Sequence, residues 1–145
     1  MKKHFIMAVI MAFALVSFTL TTRAAELLNV QQVELTKKGE VTPGLEEVAA
    51  IIRRCLPYEG CKLIDQQSCR LPANATLNFK GDYQLVVKTI EGAKISVTIL
   101  RNKKQLLSTS IVVNDSDPVV VGGFNSGSSK RVFVMRKTVV QDPQK

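Results

Sequence analysis

Cys55, Cys61 and Cys69 are the side chains whose type and spacing come nearest to chemistry in this 145-residue sequence. Thiols form disulfides in oxidising compartments, and three leave one over. Cys61 and Cys69 are eight positions apart. On one straight strand they share a face but stand ~26 Å apart at ~3.3 Å per residue, whereas a disulfide needs Cα atoms within about 7 Å. A helix-to-strand turn separates Cys55 from Cys61 and can bring them together. Cys55 with Cys61 is therefore the preferred bridge, Cys55 with Cys69 the next, and three unbridged, buried thiols the remaining reading. The sequence has no Cys-x-x-Cys, and cysteines at these spacings lack the ligand rhythm of a metal site, so neither redox catalysis nor a bound metal is expected.

Other catalytic constellations are harder still to assemble. His4 is the single histidine and falls in the leader described below, so the remaining chain lacks imidazole for a general base, a nucleophile–base pair or a nitrogen-ligated zinc. The acids Asp65, Asp82, Glu91, Asp115 and Asp117 fall mostly at turns and show no paired-carboxylate spacing. Asp115-Ser116-Asp117 offers too few oxygens in register for a calcium loop. Gly122-Gly123 has no strand-to-helix context for phosphate binding. The expectation is a protein without enzymatic activity, catalytic residues, metal or cofactor. With no Trp to stack bases, nucleic acid is not expected as a partner.

Met1-Lys2-Lys3-His4, the apolar run Phe5 to Leu20 and the small-residue end Thr21-Thr22-Arg23-Ala24-Ala25 read as a secretory signal peptide over residues 1–24, cleaved after Ala24. The apolar run is shorter than the ~20 residues that a membrane-spanning helix needs. Removing 24 of the 145 residues leaves 121, enough for a single domain, residues 25–140, with a core of its own. The leader carries Lys2, Lys3 and Arg23 and no acid, so the formal charge of +8 falls to +5. That mild excess mainly keeps a surface soluble. Where it binds something, the contacts would be Lys103, Lys104, Lys130, Arg131, Arg136 and Lys137 against an anionic lipid headgroup or surface polymer.

The elements that position these residues are organised around Ile95–Val113. Ile95, Val97 and Ile99 alternate with Ser96, Thr98 and Leu100; Arg101-Asn102-Lys103-Lys104 interrupts; Leu107, Thr109, Ile111 and Val113 resume the alternation. This is a β-hairpin pattern with one buried face. One helix is expected from about Pro43 to Leu56, with Thr42 as N-cap, Glu46 and Glu47 in the first turn, an apolar stripe of Leu45, Val48, Ile52 and Cys55, and Arg53 and Arg54 in the last turn. Strands are expected around Asn29–Thr36, where Leu28, Val30, Val33 and Leu35 keep no single period, and over Cys61–Leu71, where Asp65-Gln66-Gln67 suggests a bulge or an edge. Others fall at Leu77 and Phe79, Tyr83–Val87, Val119–Val121 and Val132–Met135. Gly122–Ser129 reads as a loop and 141–145 as a disordered tail. The fold class is α+β: one amphipathic helix packed on a mostly antiparallel sheet of about six to eight short strands.

Ser108-Thr109-Ser110-Ile111-Val112-Val113, an acidic loop, and Asp117-Pro118-Val119-Val120-Val121-Gly122-Gly123-Phe124 resemble the strand, loop and "VVxGG" strand of secretins, the outer-membrane channels of type II and type III secretion and of type IV pili. The chain lacks the Pro-x-Leu-Gly that follows in secretins and is too short for a gated channel. Its wider layout looks like small exported bacterial proteins. The resemblance implies a cell-envelope address, periplasmic or extracellular, and no activity. A protein partner in the envelope follows as the main expectation. The unpaired edges of Cys61–Leu71 and Val119–Val121 would be its docking sites.

Overall fold

A computed structural model describes residues 24–141. The expected leader, apart from Ala24, and residues 142–145 of the expected tail lie outside the described residues. Residues Glu26–Thr138 form one compact unit. The other described residues, Ala24–Ala25 and 139–141, are the outermost ends of the first and last strands.

In chain order the elements are β1 (Ala24–Thr36), α1 (Glu46–Cys55), β2 (Gly60–Arg70), β3 (Asn74–Phe79), β4 (Tyr83–Glu91), β5 (Lys94–Arg101), β6 (Lys104–Val112), β7 (Val119–Ser126) and β8 (Ser129–Gln141). The strands form two sheets of four, ordered β2-β1-β8-β7 and β3-β4-β5-β6. The α+β expectation of one helix with up to eight mostly antiparallel strands holds, but the strands divide between two sheets where one was expected.

That division explains the missing period in β1. Its even positions, Leu28 and Val30, join Leu77, Leu85, Val87, Ile95, Val97, Ile99, Phe133 and Met135 in a core between the two sheets. Its odd positions, Val33 and Leu35, join Val132 and Val134 of β8 and Cys61 of β2 beneath Leu45, which precedes the helix, and Val48, Ala49 and Ile52 of the helix. A strand buried on both faces loses the apolar–polar alternation that marks a half-exposed one. Each large aliphatic side chain so enclosed contributes ~1.5–3 kcal/mol. Phe79, Tyr83 and Phe133 meet edge to face, with ring centroids 5.2 and 5.6 Å apart, and pin the two sheets together at one end.

The central hairpin forms as expected. Ile95, Val97 and Ile99 are fully buried, and β4, β5 and β6 pair in sequence. Asn102 and Lys103 make its two-residue turn with φ of +51° and +65°, the mirror-image geometry that matches strand twist. Leu106 is an extra residue in β6, because Leu100 opposes Gln105 and Ile99 opposes Leu107.

The helix starts later than expected. The Leu45 N–H donates to the Thr42 carbonyl at 3.0 Å, and Gly44 has a φ of +97°. Thr42-Pro43-Gly44-Leu45 is thus a turn with proline second and a left-handed glycine third, not a first helical turn. Thr42 is not the N-cap: its Oγ1 accepts from the Leu63 N–H at 3.1 Å. The Glu46 carboxylate instead reaches back to the Gly44 N–H at 2.9 Å.

The expected loop Gly122–Ser129 is mostly strand. β7 continues to Ser126, with Gly123 as an unpaired bulge residue, and Ser126 opposes Ser129 across the turn Gly127-Ser128. Gly122 and Gly123 adopt φ of +125° and +104°, so the glycines that suggested flexibility serve a defined irregularity.

Candidate functional site

Of the two edges expected to dock a partner, one is partly occupied. β2 borders its sheet, but Glu40–Thr42 lie along it. The Cys61 N–H donates to the Glu40 carbonyl at 3.2 Å and the Thr42 N–H to the Cys61 carbonyl at 2.8 Å. Further along, the Asp65 carboxylate accepts from the Gln66 N–H at 2.8 Å and the Lys80 N–H at 3.2 Å. β7 is different. It has β8 as its single hydrogen-bonded neighbour among the described strands, so the main-chain groups along its outer side remain available. Towards the end of β7, Arg101 Nη1 donates to the Asn125 carbonyl at 3.0 Å.

The same Arg101–Asn125 bond sorts the six basic candidates. It ties the end of β5 to the end of β7, and so brings the β5–β6 turn, with Lys103 and Lys104, to the end of the molecule that carries Lys130. Lys103 and Lys104 are exposed, and Lys130 donates to the Asn125 side-chain carbonyl. The other three are committed to carboxylates. Arg131 Nη2 lies 3.3 Å from Glu34 Oε2, Arg136 Nη2 2.8 Å from Glu47 Oε2, and Lys137 Nζ 3.8 Å from Glu26 Oε2. Arg136 and Lys137 also sit beyond Met135, at the opposite end of β8 from Lys130. The six therefore do not form one patch.

Arg131 is an interior residue, 9% exposed, with its guanidinium 5.7 Å from the centroid of the Tyr83 ring. Arg101 lies 5.2 Å from the same centroid. Tyr83 Oη and Arg131 Nε are buried without a protein hydrogen-bond partner. In sequence, Arg101 reads as part of a charged hairpin tip and Tyr83 as an ordinary strand residue, a reading that does not pair them. Their signal was inward parity, since both extend the alternation of the buried positions on β5 and β4. Beside them an open depression of about 390 Å³ is lined by Asn78, Asp82, Tyr83, Asn102 and Lys103 among others.

All three cysteines are free thiols, and the expected Cys55–Cys61 bridge is absent. Cys55 ends the helix exposed, while Cys61 is sealed beneath it with no accessible surface. Cys69 is partly buried against the core between the sheets. Burial pushes the Cys61 and Cys69 thiols up; for Cys61 the nearby Arg53 pulls the other way with less effect. Asp115 and Asp117 are exposed in a loop closed by the Asn114 carboxamide, which accepts from the Ser116 and Asp117 N–H groups at 3.2 and 2.7 Å. Among the described residues no three His, Cys, Asp or Glu side chains gather as a metal site, and no helix is long and apolar enough to cross a membrane.

No family model, curated protein or solved structure matches this chain. The secretin-like segment spans the end of β6, the Asn114 loop and β7, two strands that lie in different sheets.

Proposed function

We propose that this chain is a non-enzymatic, exported protein of the bacterial cell envelope that holds a protein partner by adding one of the partner's strands to β7. The observation that carries this reading is the outer side of β7, an edge with one neighbour among the described strands and, apart from the Asn125 carbonyl that Arg101 holds, main-chain groups open to pairing. The disposition of the acids supports the absence of catalysis. Glu26, Glu34 and Glu47 each hold a basic side chain, and Asp65 receives two backbone N–H groups. Export rests on the leader pattern of residues 1–24, and the envelope address on the likeness of Ser108–Phe124 to secretins. The test is crosslinking in the native envelope with mass spectrometry of the adducts. One protein recovered through peptides of β7 supports the reading, and recovery of no protein overturns it.

A second reading, a binding protein for an anionic lipid headgroup or surface polymer, is favoured by the convergence of Lys103, Lys104 and Lys130 on one end of the molecule. Binding to vesicles of anionic lipid that falls steeply with salt would support it, and binding indifferent to salt would remove it.

A further inference from the structure

We propose that β6 is a self-pairing edge through which two copies of this chain join antiparallel, about a two-fold axis at Thr109. β6 borders its sheet with β5 as its single hydrogen-bonded neighbour among the described strands. Edge strands usually carry a guard against pairing, such as a central lysine, an inward charge or a proline. Leu106-Leu107-Ser108-Thr109-Ser110-Ile111-Val112 carries none of these, and the single charge of β6 is Lys104 at its start. Bulges can also blunt an edge, but the one at Leu106 sits at the end of this segment.

The register follows from geometry. Residues opposed across an antiparallel pair point to the same face, so a strand meeting itself must place its axis on a residue. With the axis at Thr109, Leu107 meets Ile111 and Ser108 meets Ser110, each twice. Leu106 meets Val112, and these are two exposed apolar side chains of this sheet, 42% and 60% accessible. Leu107 and Ile111 are only partly buried against the core and would gain cover. Moving the axis to Ser108 sets Leu106 against Ser110 and Lys104 against Val112; moving it to Ser110 sets Ser108 against Val112. Only the Thr109 register matches apolar with apolar on both faces and leaves all charge outside. A second copy is the occupant because the strand is complementary to itself, the requirement of an isologous two-fold interface. The product is a continuous eight-stranded sheet across two subunits. This inference is independent of the docking reading, which uses β7 and a different protein.

The test is the mass of the purified protein by analytical ultracentrifugation, joined to register-specific crosslinking. A dimer is expected. In a Cys55→Ser background, Thr109→Cys faces its own copy at a separation within disulfide reach and closes a covalent dimer on oxidation, whereas Ser96→Cys on β5 does not. Leu106→Lys, at an exposed position where folding tolerates it, weakens dimerisation about tenfold, since each dimer loses the contact twice. A monomeric mass throughout the accessible concentration range would overturn the proposal. So would a dimer in which Thr109→Cys does not close, or a β6 edge that captures only a different protein.

Discussion

Cys61 and Cys69 stand on opposite faces of the same strand. Ile64 is the reason. Asp65 opposes Gln32 and Leu63 opposes Val33, so Ile64 is left over and the faces of β2 exchange at that point. Cys61 therefore opposes Leu35 under the helix, while Cys69 opposes Leu28 and meets the core between the sheets. Eight positions on a straight strand would have put both thiols on one side.

The buried thiols make stability fall at alkaline pH. Both have folded values raised by burial, so the folded state keeps its protons where the unfolded chain releases them. Their contribution is whole below the ordinary thiol value and declines as pH rises above it. Urea midpoints measured from neutral to alkaline pH should fall less steeply in a Cys61→Ala/Cys69→Ala variant than in the parent, and parallel curves would contradict this. Under native conditions a thiol reagent should label Cys55 first.

Two ion pairs should differ in worth. Glu34→Gln leaves the Arg131 guanidinium, 9% exposed, without its carboxylate and is expected to cost ~2–3 kcal/mol. Glu47→Gln breaks a shorter but half-exposed pair with Arg136 and is expected to cost under ~1 kcal/mol. Denaturant unfolding of both variants at low and high salt checks the order.

The β7 bulge sorts its glycines. A Cβ at Gly122 would stand 3.0 Å from the Phe124 ring and 3.1 Å from the Arg131 carbonyl, while one at Gly123 meets nothing within 4 Å. Both have left-handed backbone, so each alanine variant pays about 1–2 kcal/mol of strain, and Gly122→Ala adds the clash for ~3 kcal/mol or more. Thermal unfolding should rank Gly122→Ala below Gly123→Ala.

Half-exposed elements were legible from sequence because their periodicity is intact, as in the hairpin of β5 and β6. β1 was not, because α1 and the second sheet bury alternate faces of it. The late helix start was hidden because Pro43 suits the first helical turn and the second place of a tight turn equally, and Gly44 decides for the turn. Of the candidate contacts, the exposed Lys103 and Lys104 could be found from composition. The carboxylates that hold Arg131, Arg136 and Lys137 could not, since they lie 97, 89 and, for Glu26, over a hundred positions away in the chain. Val119–Val121 was expected as an edge and β7 lies at one, whereas the open edge of β6 was missed, because strand order is not encoded in local patterns.

The most direct test of the docking account is amide hydrogen exchange in the purified protein, alone and again with detergent-solubilised envelope proteins from the same cells. Alone, the outward amides of Val119–Ser126 should exchange quickly while the centres of β4 and β5 stay protected. With envelope proteins, the account predicts slowing along β7 that persists at high salt. Slowing confined to the turns of Lys103, Lys104 and Lys130 and abolished by salt, or no slowing, would contradict it.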